Sequence, residues 1–241
     1  MSTLDSPLFP LTPSKWNTFD NCPYRAMRQF ILKDVKDSSS DALIFGTQVH
    51  KHLEFYVRNH KKMPLWMDGV LPKLDKLLGS NPKADVYVEL FQGMDESFTK
   101  SVNNRRGEGV ALRLKTDLEW HLGNTAIVID YKTGKPRSED RQLHLQALAV
   151  FAKRPEIEVI FPQYWYLKFD TKKVCVDVDI VGTSEKIIRR SEVPELSRRY
   201  MEEMSFVEFS VENDEWPKQP SPLCGWCPVS DCENWIDRRD K

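Results

Sequence analysis

The stretch "NTAIVIDYK", residues 124–132, is an apolar run that ends in Asp130-Tyr131-Lys132, and the turn "TGKPRS" follows it. An acid and a lysine two residues apart on a strand share one face. That pair suits a salt bridge at a strand end, or a site where a carboxylate holds a metal and an ammonium assists. A second carboxylate comes from the preceding segment. Gly123-Asn124 favours a two-residue hairpin loop, and with those residues as the loop Leu122 pairs with Thr125. Counting outward sets Asp117 opposite Asp130 and Lys115 opposite Lys132, with Leu114, Leu118, Ile127 and Ile129 on the other face as core. Facing carboxylates repel unless a cation sits between them, and hard oxygen ligands suit Mg²⁺ or Mn²⁺. Lys132 could then orient or deprotonate a water, or stabilise charge developing on a phosphate. The other reading keeps both aspartates solvated and neutralised by Lys115 and Lys132.

His50 bears on that choice. In the helical stretch 47–60, "TQVHKHLEFYVRNH", it shares a face with Leu53 and Val57 beside Val49. A histidine there is either a satisfied core residue or, pointed at the aspartate pair, a third ligand. His52, His60, His121 and His144 read as surface residues. On the helix expected from Ser138 to about Lys153, Gln142 and Gln146 share a face with Ala149, and Gln146 is the candidate to hydrogen-bond a phosphate or the lysine. Glu89, in "YVELF", reads more readily as an exposed strand residue than as another carboxylate at the site. Tyr164, Trp165 and Tyr166 are expected to pack, although aromatics beside a basic groove can stack on single-stranded bases.

Three cysteines, Cys224-x-x-Cys227-x₄-Cys232, lie in a Pro-rich tail with no other evident means of folding. The two remaining cysteines are Cys22 and Cys175. Cys175 sits in the alternating strand "VCVDVDI", where a thiol acts as a small buried hydrophobe. Cys22 precedes a helix and is the better fourth ligand, which would clasp the C-terminus to the N-terminus. Four thiolates fit Zn²⁺ or an iron–sulfur cluster equally by spacing.

These residues need a scaffold. The chain has 241 residues, 40% of them hydrophobic and seven of them Trp, enough for one sizeable core. Its formal net charge of -1 excludes a global field that would attract nucleic acid, so any polyanion site is a local patch. Basic residues gather at Lys132, Lys135, Arg137 and Arg141, at Arg105-Arg106, and at Arg25 and Arg28; acidic ones dominate 202–215. No signal-peptide pattern or long apolar span is visible, which leads to an expectation of a cytoplasmic protein, not associated with a membrane, with reduced thiols. Alternation predicts strands at 86–92, 109–120, 124–132, 158–168 and 173–180. Helical signals cover short segments after Ser14 and Cys22, then 47–60, parts of 64–84, 138–153 and 184–208, with "DVKDSSSD" as a polar loop. That order gives a mixed sheet flanked by helices, in the α/β or α+β class.

Taken together the sequence resembles the RecB-like branch of the PD-(D/E)XK nucleases, and most of all the small iron–sulfur exonucleases of CRISPR loci, phages and bacterial recombination nucleases. The residues that carry the likeness are "TPSKWNTFDNCPYRAMRQFIL", "FGTQVHKHLE", Asp117, "VIDYKTGK", the helix with Gln146, and "CGWCPVSDCENW". It departs from the family pattern at Leu114 and Val150, which stand where Gly and Tyr are common, and in a last Cys spacing one residue short. The resemblance implies an α/β, restriction-endonuclease-like fold over 1–241, with 1–35 and 209–241 forming a cluster annex. It implies His50, Asp117, Asp130 and the Tyr131 carbonyl as Mg²⁺ or Mn²⁺ ligands, and Lys132 as the catalytic lysine acting with Asp117, Asp130 and Gln146. Cys22, Cys224, Cys227 and Cys232 would hold a [4Fe-4S] cluster, with Zn²⁺ as the alternative, and Lys135, Arg137 and Arg141 would meet substrate. The activity implied is hydrolysis of DNA phosphodiesters, in assembly with copies of itself or with recombination or CRISPR-adaptation proteins. The rival expectation is a non-catalytic DNA-binding or recombination-accessory protein with a structural Cys site.

Overall fold

The computed structural model describes residues 3–37, 40–102, 109–135, 140–169, 176–179 and 187–236, the backbone alone at 168–169 and 176–179. Arg105, Arg106, Arg137, Ser138, Glu139 and Cys175 lie outside the described residues.

The centre of the fold is the hairpin of β3 (Leu112–Leu122) and β4 (Thr125–Lys132). Gly123 takes φ +59 at the first loop position and Asn124 does not have positive φ, the pattern of a type II′ turn, which suits the twist of paired strands. The register runs from Leu122↔Thr125 to Leu118↔Ile129, as the count from the turn requires. α5 (Arg141–Lys153) then crosses over to β5 (Val159–Phe169), which pairs with β4 in parallel. β1 (Asp85–Met94) lies antiparallel on the far side of β3, with β2 (Ser101–Val102) outside it. β6 (Val176–Asp179) and β7 (Ile188–Arg189) pair with opposite ends of β5. Among the described residues the sheet order is β2-β1-β3-β4-β5-β6, with β7 also on β5. It is an α/β fold with a central mixed sheet flanked by helices.

One face of the sheet packs against α3 (Asp41–Asn59) and α4 (Leu71–Leu78). Leu118, Ile129, Tyr131 and Trp165 meet Val49, Leu53 and Leu74 there. On the other face Ala126 and Val128 pack on Ala147, Val150 and Phe151 of α5. Leu112 and Leu114 meet Leu145, Leu148 and Ala149, joined by Trp16 of α1 (Pro13–Asn21) and Tyr200 of α6 (Val193–Asn213).

Leu114 and Leu118 are therefore on opposite faces, against the simple alternation expected of β3. The cause is a break at Glu89 and Asp117. The β1–β3 pairing skips that rung, resuming from Val88↔Leu118 at Leu90↔Thr116 with no residue inserted. Glu89 has φ +53, and one left-handed residue reverses the facing of the residues beyond it. Lys115 consequently bonds Glu89 across to β1 instead of lying opposite Lys132. Of the histidines expected at the surface, one is buried and another is half-buried and engaged. His121 is buried with Nε2 3.1 Å from Glu119, and His144 Nδ1 lies 2.8 Å from the Tyr200 hydroxyl.

Several element ends shift. α3 begins at Asp41, earlier than the expected Thr47, because the Ser40 hydroxyl accepts the Leu43 N–H at 3.3 Å and caps it. The segment after Cys22 divides into α2 (Pro23–Ala26) and a π-helical turn, Met27–Leu32. The last long helix starts at Val193, not near 184, with β7 before it. No helix among the described residues is long and apolar enough to cross a membrane.

A Cβ built on Gly123 meets nothing within 4 Å, so Gly123→Ala tests the turn's positive φ alone. We expect a loss of about 1 kcal/mol, read as a Tm lower by about 2–4 °C at an unchanged denaturant slope.

Candidate active site

The break in β3 is what gathers the site. Past Leu118↔Ile129 the strands no longer exchange ladder bonds, and the Asp117 side chain crosses the gap instead: its Oδ2 accepts the Tyr131 N–H at 2.7 Å. Its Oδ1 is 3.1 Å from His50 Nδ1. α3 can come close enough to deliver His50 because Gly46, one turn earlier, abuts the end of β4; a Cβ there would stand 3.1 Å from Thr133 Oγ1. Glu89, turned by its left-handed backbone, completes the group. One ligand atom each from His50, Glu89 and Asp117 lies within 4.8 Å of the others, the one such set among the described residues. Two carboxylates and an imidazole are a donor set suited to Mg²⁺ or Mn²⁺.

Asp130 sits beside this set rather than within it. It is buried, with Oδ2 2.6 Å from Lys132 Nζ. Gln146, fully buried, donates to Asp130 Oδ1 at 3.2 Å and to the Lys115 carbonyl at 3.1 Å. Gln142 donates to the same Asp130 oxygen and accepts from Lys132 Nζ at 2.8 Å, so both glutamines of α5 reach the site. The Lys132 ammonium also lies 5.1 Å from the centroid of the Tyr164 ring.

The electrostatics follow from burial of like charges. Burial and then the Asp117 charge push Asp130 up to about 6, against the pull of Lys132 and Gln146. Glu89 is raised by burial and by Asp117, with Lys115 opposing. For His50 burial acts downward, but the hydrogen bond and charge of Asp117, then the charges of Asp130 and Glu89, outweigh it and hold its pKa up. Three acids gathered around one gap in the sheet call for added positive charge.

The remaining sequence candidates separate. Lys135 is exposed, three residues past the end of β4. Arg141 is engaged by Asp20 and by Glu203 (3.2 Å) and lies 5.0 Å over the Trp16 ring. Glu89 is the site residue that sequence alternation undervalued. Its nearness to Asp117 would have been found only by counting a β1–β3 register through a connection longer than a tight turn. The four cysteines Cys22, Cys224, Cys227 and Cys232 are free thiols that line one cavity of about 70 Å³ with Tyr24, Arg25 and Trp235. The Ser221 N–H points at Cys224 Sγ (3.3 Å). Burial pushes the Cys227 thiol up, and Cys22 and Cys224 add to it. The tail is tied to the N-terminal segment by Tyr24 N–H to the Pro217 carbonyl (3.3 Å) and by Arg28 to Asp231 (3.0 Å).

Residues 10–232 match, as one continuous family assignment, the PD-(D/E)XK nuclease superfamily. The chain belongs to that superfamily. Among solved structures, this superfamily member is similar to a candidate exonuclease from Eubacterium rectale. That match has a TM-score of 0.52 at 11% identity, covering 92% of this chain and 85% of the other, a likeness of fold. Another solved structure, SSO0001, aligns over 94% of this chain and 87% of its own at 13% identity, with a TM-score of 0.35. No curated protein matches the chain.

Metal binding to this nuclease-superfamily site must compete with protons, since His50, Glu89 and Asp130 all hold theirs to higher pH than usual. The Tm increment produced by Mn²⁺ should therefore be small at pH 5 and grow as pH rises through about 6 toward 7.5. Asp117→Asn should abolish it at every pH. An increment independent of pH would remove His50 and the acids as ligands.

Proposed function

We propose that this chain is a Mg²⁺- or Mn²⁺-dependent deoxyribonuclease acting as an exonuclease, hydrolysing phosphodiesters with an activated water. The observation that carries the reading is the convergence of His50, Glu89 and Asp117 within 4.8 Å beside the Asp130–Lys132 pair, in a chain of a nuclease superfamily. The expected ligand set of His50, Asp117, Asp130 and the Tyr131 carbonyl is enlarged in this proposal by Glu89. A divalent ion held there supplies a water of lowered pKa and offsets charge on the scissile phosphate. The Tyr131 N–H fixes Asp117 through one oxygen and leaves the other toward His50. Gln142 and Gln146 orient the Asp130 carboxylate, and Gln142 also orients the Lys132 ammonium, the group placed to donate to a water or a non-bridging phosphate oxygen. Lys135 and Arg137, both in the sequence "TGKPRS" after β4, meet the DNA backbone in this reading; Arg141, already doubly paired, serves the fold first. The exonuclease assignment draws support from the fold shared with the Eubacterium rectale protein, which is described as such.

The proposal gives the cysteines a resident [4Fe-4S] cluster held by Cys22, Cys224, Cys227 and Cys232. Four thiols line one cavity, and as thiolates they are metal or cluster ligands. A Zn–S bond of about 2.3 Å puts the sulfurs of one zinc roughly 3.8 Å apart. Among the described residues no three of these sulfurs are drawn together within 4.8 Å. Hydrolysis transfers no electron, so the cluster's work is to clasp residues 1–35 to 209–241.

The test is digestion of end-labelled linear DNA and of covalently closed circular DNA in Mn²⁺. We expect the linear form to be degraded from an end and the circular form to survive. Asp117→Asn and Lys132→Ala should each reduce the rate by about 100-fold or more. A variant Asp130→Ala as fast as wild type would overturn the catalytic assignment, and cleavage of the circle would overturn the exonuclease one. For the cysteine site, protein purified without oxygen should be brown and carry about four irons per chain. Cys232→Ala should lose both the colour and thermal stability; colourless protein with one zinc would replace the cluster by Zn²⁺.

A further inference from the structure

The N-terminal end of β3 carries cations that the chemistry above does not use. Side chains alternate along the strand, so Arg113 shares a face with Lys115, about 7 Å further from Asp117. Leu112 and Leu114 turn the other way into the core. Lys115 is engaged by Glu89. Arg113 is half-buried and its N–H donates to the Leu11 carbonyl at 2.8 Å, yet among the described residues its guanidinium meets no carboxylate. What surrounds it is cationic. The Lys15 ammonium of α1 donates to the Pro7, Leu8 and Pro10 carbonyls at 3.2, 2.7 and 3.3 Å, just before Leu11 in the same segment. That ammonium lies 5.7 Å from the centroid of the Phe30 ring. Exposed Lys33 closes the π-helical turn that holds Phe30, and it too meets no carboxylate among the described residues. Burial, then the charges of Arg113 and Lys33, push Lys15 down to about 8. Asp34, next to Lys33, is taken up by Arg28 at 2.8 Å.

Resting on the nuclease reading above, we propose that Arg113 and Lys33 form a phosphate subsite that holds the DNA backbone beyond the scissile bond, on the line that β3 draws away from the metal ligands. Lys15 is already met by three carbonyls and serves the fold, which leaves the two outer cations for an anion. Asp117 is four residues along β3, about 14 Å at the rise of a strand. The phosphate held here is therefore a different one from the phosphate cut at the metal. Like charges gathered without an acid repel, and a phosphodiester between them removes that repulsion. The arginine fork bonds two oxygens of one phosphate, while the lysine meets it as a point charge. Contacts of this kind position a strand without reading its bases.

The test is equilibrium binding across a salt series, read by fluorescence anisotropy with Ca²⁺ in place of Mg²⁺. The probes are a labelled oligothymidylate and an abasic deoxyribose-phosphate strand of equal length and charge. Arg113→Gln and Lys33→Gln should each lower the slope of log affinity against log salt by about 0.7, a loss of about fivefold near 0.1 M salt. Both strands should lose equally, since the contact is to phosphate. Arg113→Lys should keep the wild-type slope, and Arg198→Gln, which neutralises an exposed cation of α6 paired with Glu202, should leave it unchanged. The Mn²⁺ increment in Tm should be the same in Arg113→Gln as in wild type, because the metal ligands are untouched. The variant should also melt no lower than wild type, a like charge having left the side of Lys15. A wild-type slope in the double variant, an equal drop in Arg198→Gln, a loss confined to the oligothymidylate, or a lost Mn²⁺ increment would overturn the subsite. These outcomes are independent of cleavage. A protein that shows the expected pattern yet cuts no DNA in Mn²⁺ loses the nuclease reading and keeps the subsite. One that degrades DNA while its double variant binds with the wild-type slope loses the subsite alone.

Discussion

The hydrogen bond from the Tyr131 N–H to Asp117 Oδ2 closes a gap that the sheet itself leaves open. β3 stops pairing with β4 at Leu118↔Ile129, and from there a buried N–H would lack a partner. A carboxylate takes that place, so a residue of chemical importance is also the backbone's satisfaction at the point where two strands part. The parting lets β3 follow β1 toward Glu89 while β4 continues beside β5. Both faces of the site come from this geometry, His50 and Glu89 on one side of the gap and Asp130 with the glutamines of α5 on the other.

A break of this kind needs support from elsewhere in the fold, and it comes from a second buried carboxylate. Glu119, two residues past Asp117, is 1% exposed. It accepts from Thr116 Oγ1 at 2.5 Å and from Gln92 Nε2 at 2.7 Å, and His121 Nε2 is 3.1 Å from its other oxygen. Thr116 and Glu119 flank Asp117 on β3, and Gln92 lies three residues past Glu89 on β1. The hydrogen bonds therefore bracket the skipped rung on both strands. A charge this deep is costly unless several donors meet it, and here they join the two strands whose phase has slipped.

Much of the site was legible because it lies on a hairpin whose turn declares itself. Gly123-Asn124 fixes the loop, period-two alternation fixes the faces, and Asp117 follows by counting. The same counting misplaced Leu114 and Lys115, because it carries alternation through the rung where Glu89 turns left-handed, and no residue type marks that turn. Glu89 itself is anomalous for the left-handed region, which Gly and Asn favour, so its conformation is imposed by tertiary packing. His50 was legible from the apolar stripe of α3. The buried place of His121 and the half-buried one of His144 were not, since each depends on a partner distant in the fold or hidden by burial, Glu119 and Tyr200. Arg141 shows the same limit: a basic residue beside a nuclease motif reads as a substrate contact until Asp20 and Glu203 are seen to hold it.

The charge balance of the site links its architecture to its chemistry. Glu89 is met by Lys115 and Asp130 by Lys132, while Asp117 has His50 and a backbone N–H. Each acid thus has a cation or a donor of its own, which allows three carboxylates to stay folded on one patch of sheet in a chain of net charge -1. None of these pairings is sealed: Lys115 and Lys132 keep about a third of their side-chain surface open. The ammonium groups that offset the acids are therefore also groups that solvent reaches. Both lysines also stand beside aromatic rings, Lys115 over exposed Phe91 and Lys132 over buried Tyr164. Phe91 is 45% exposed and Tyr164 6%, so the aromatic wall beside Lys132 shields its ion pair from water more than the one beside Lys115 does.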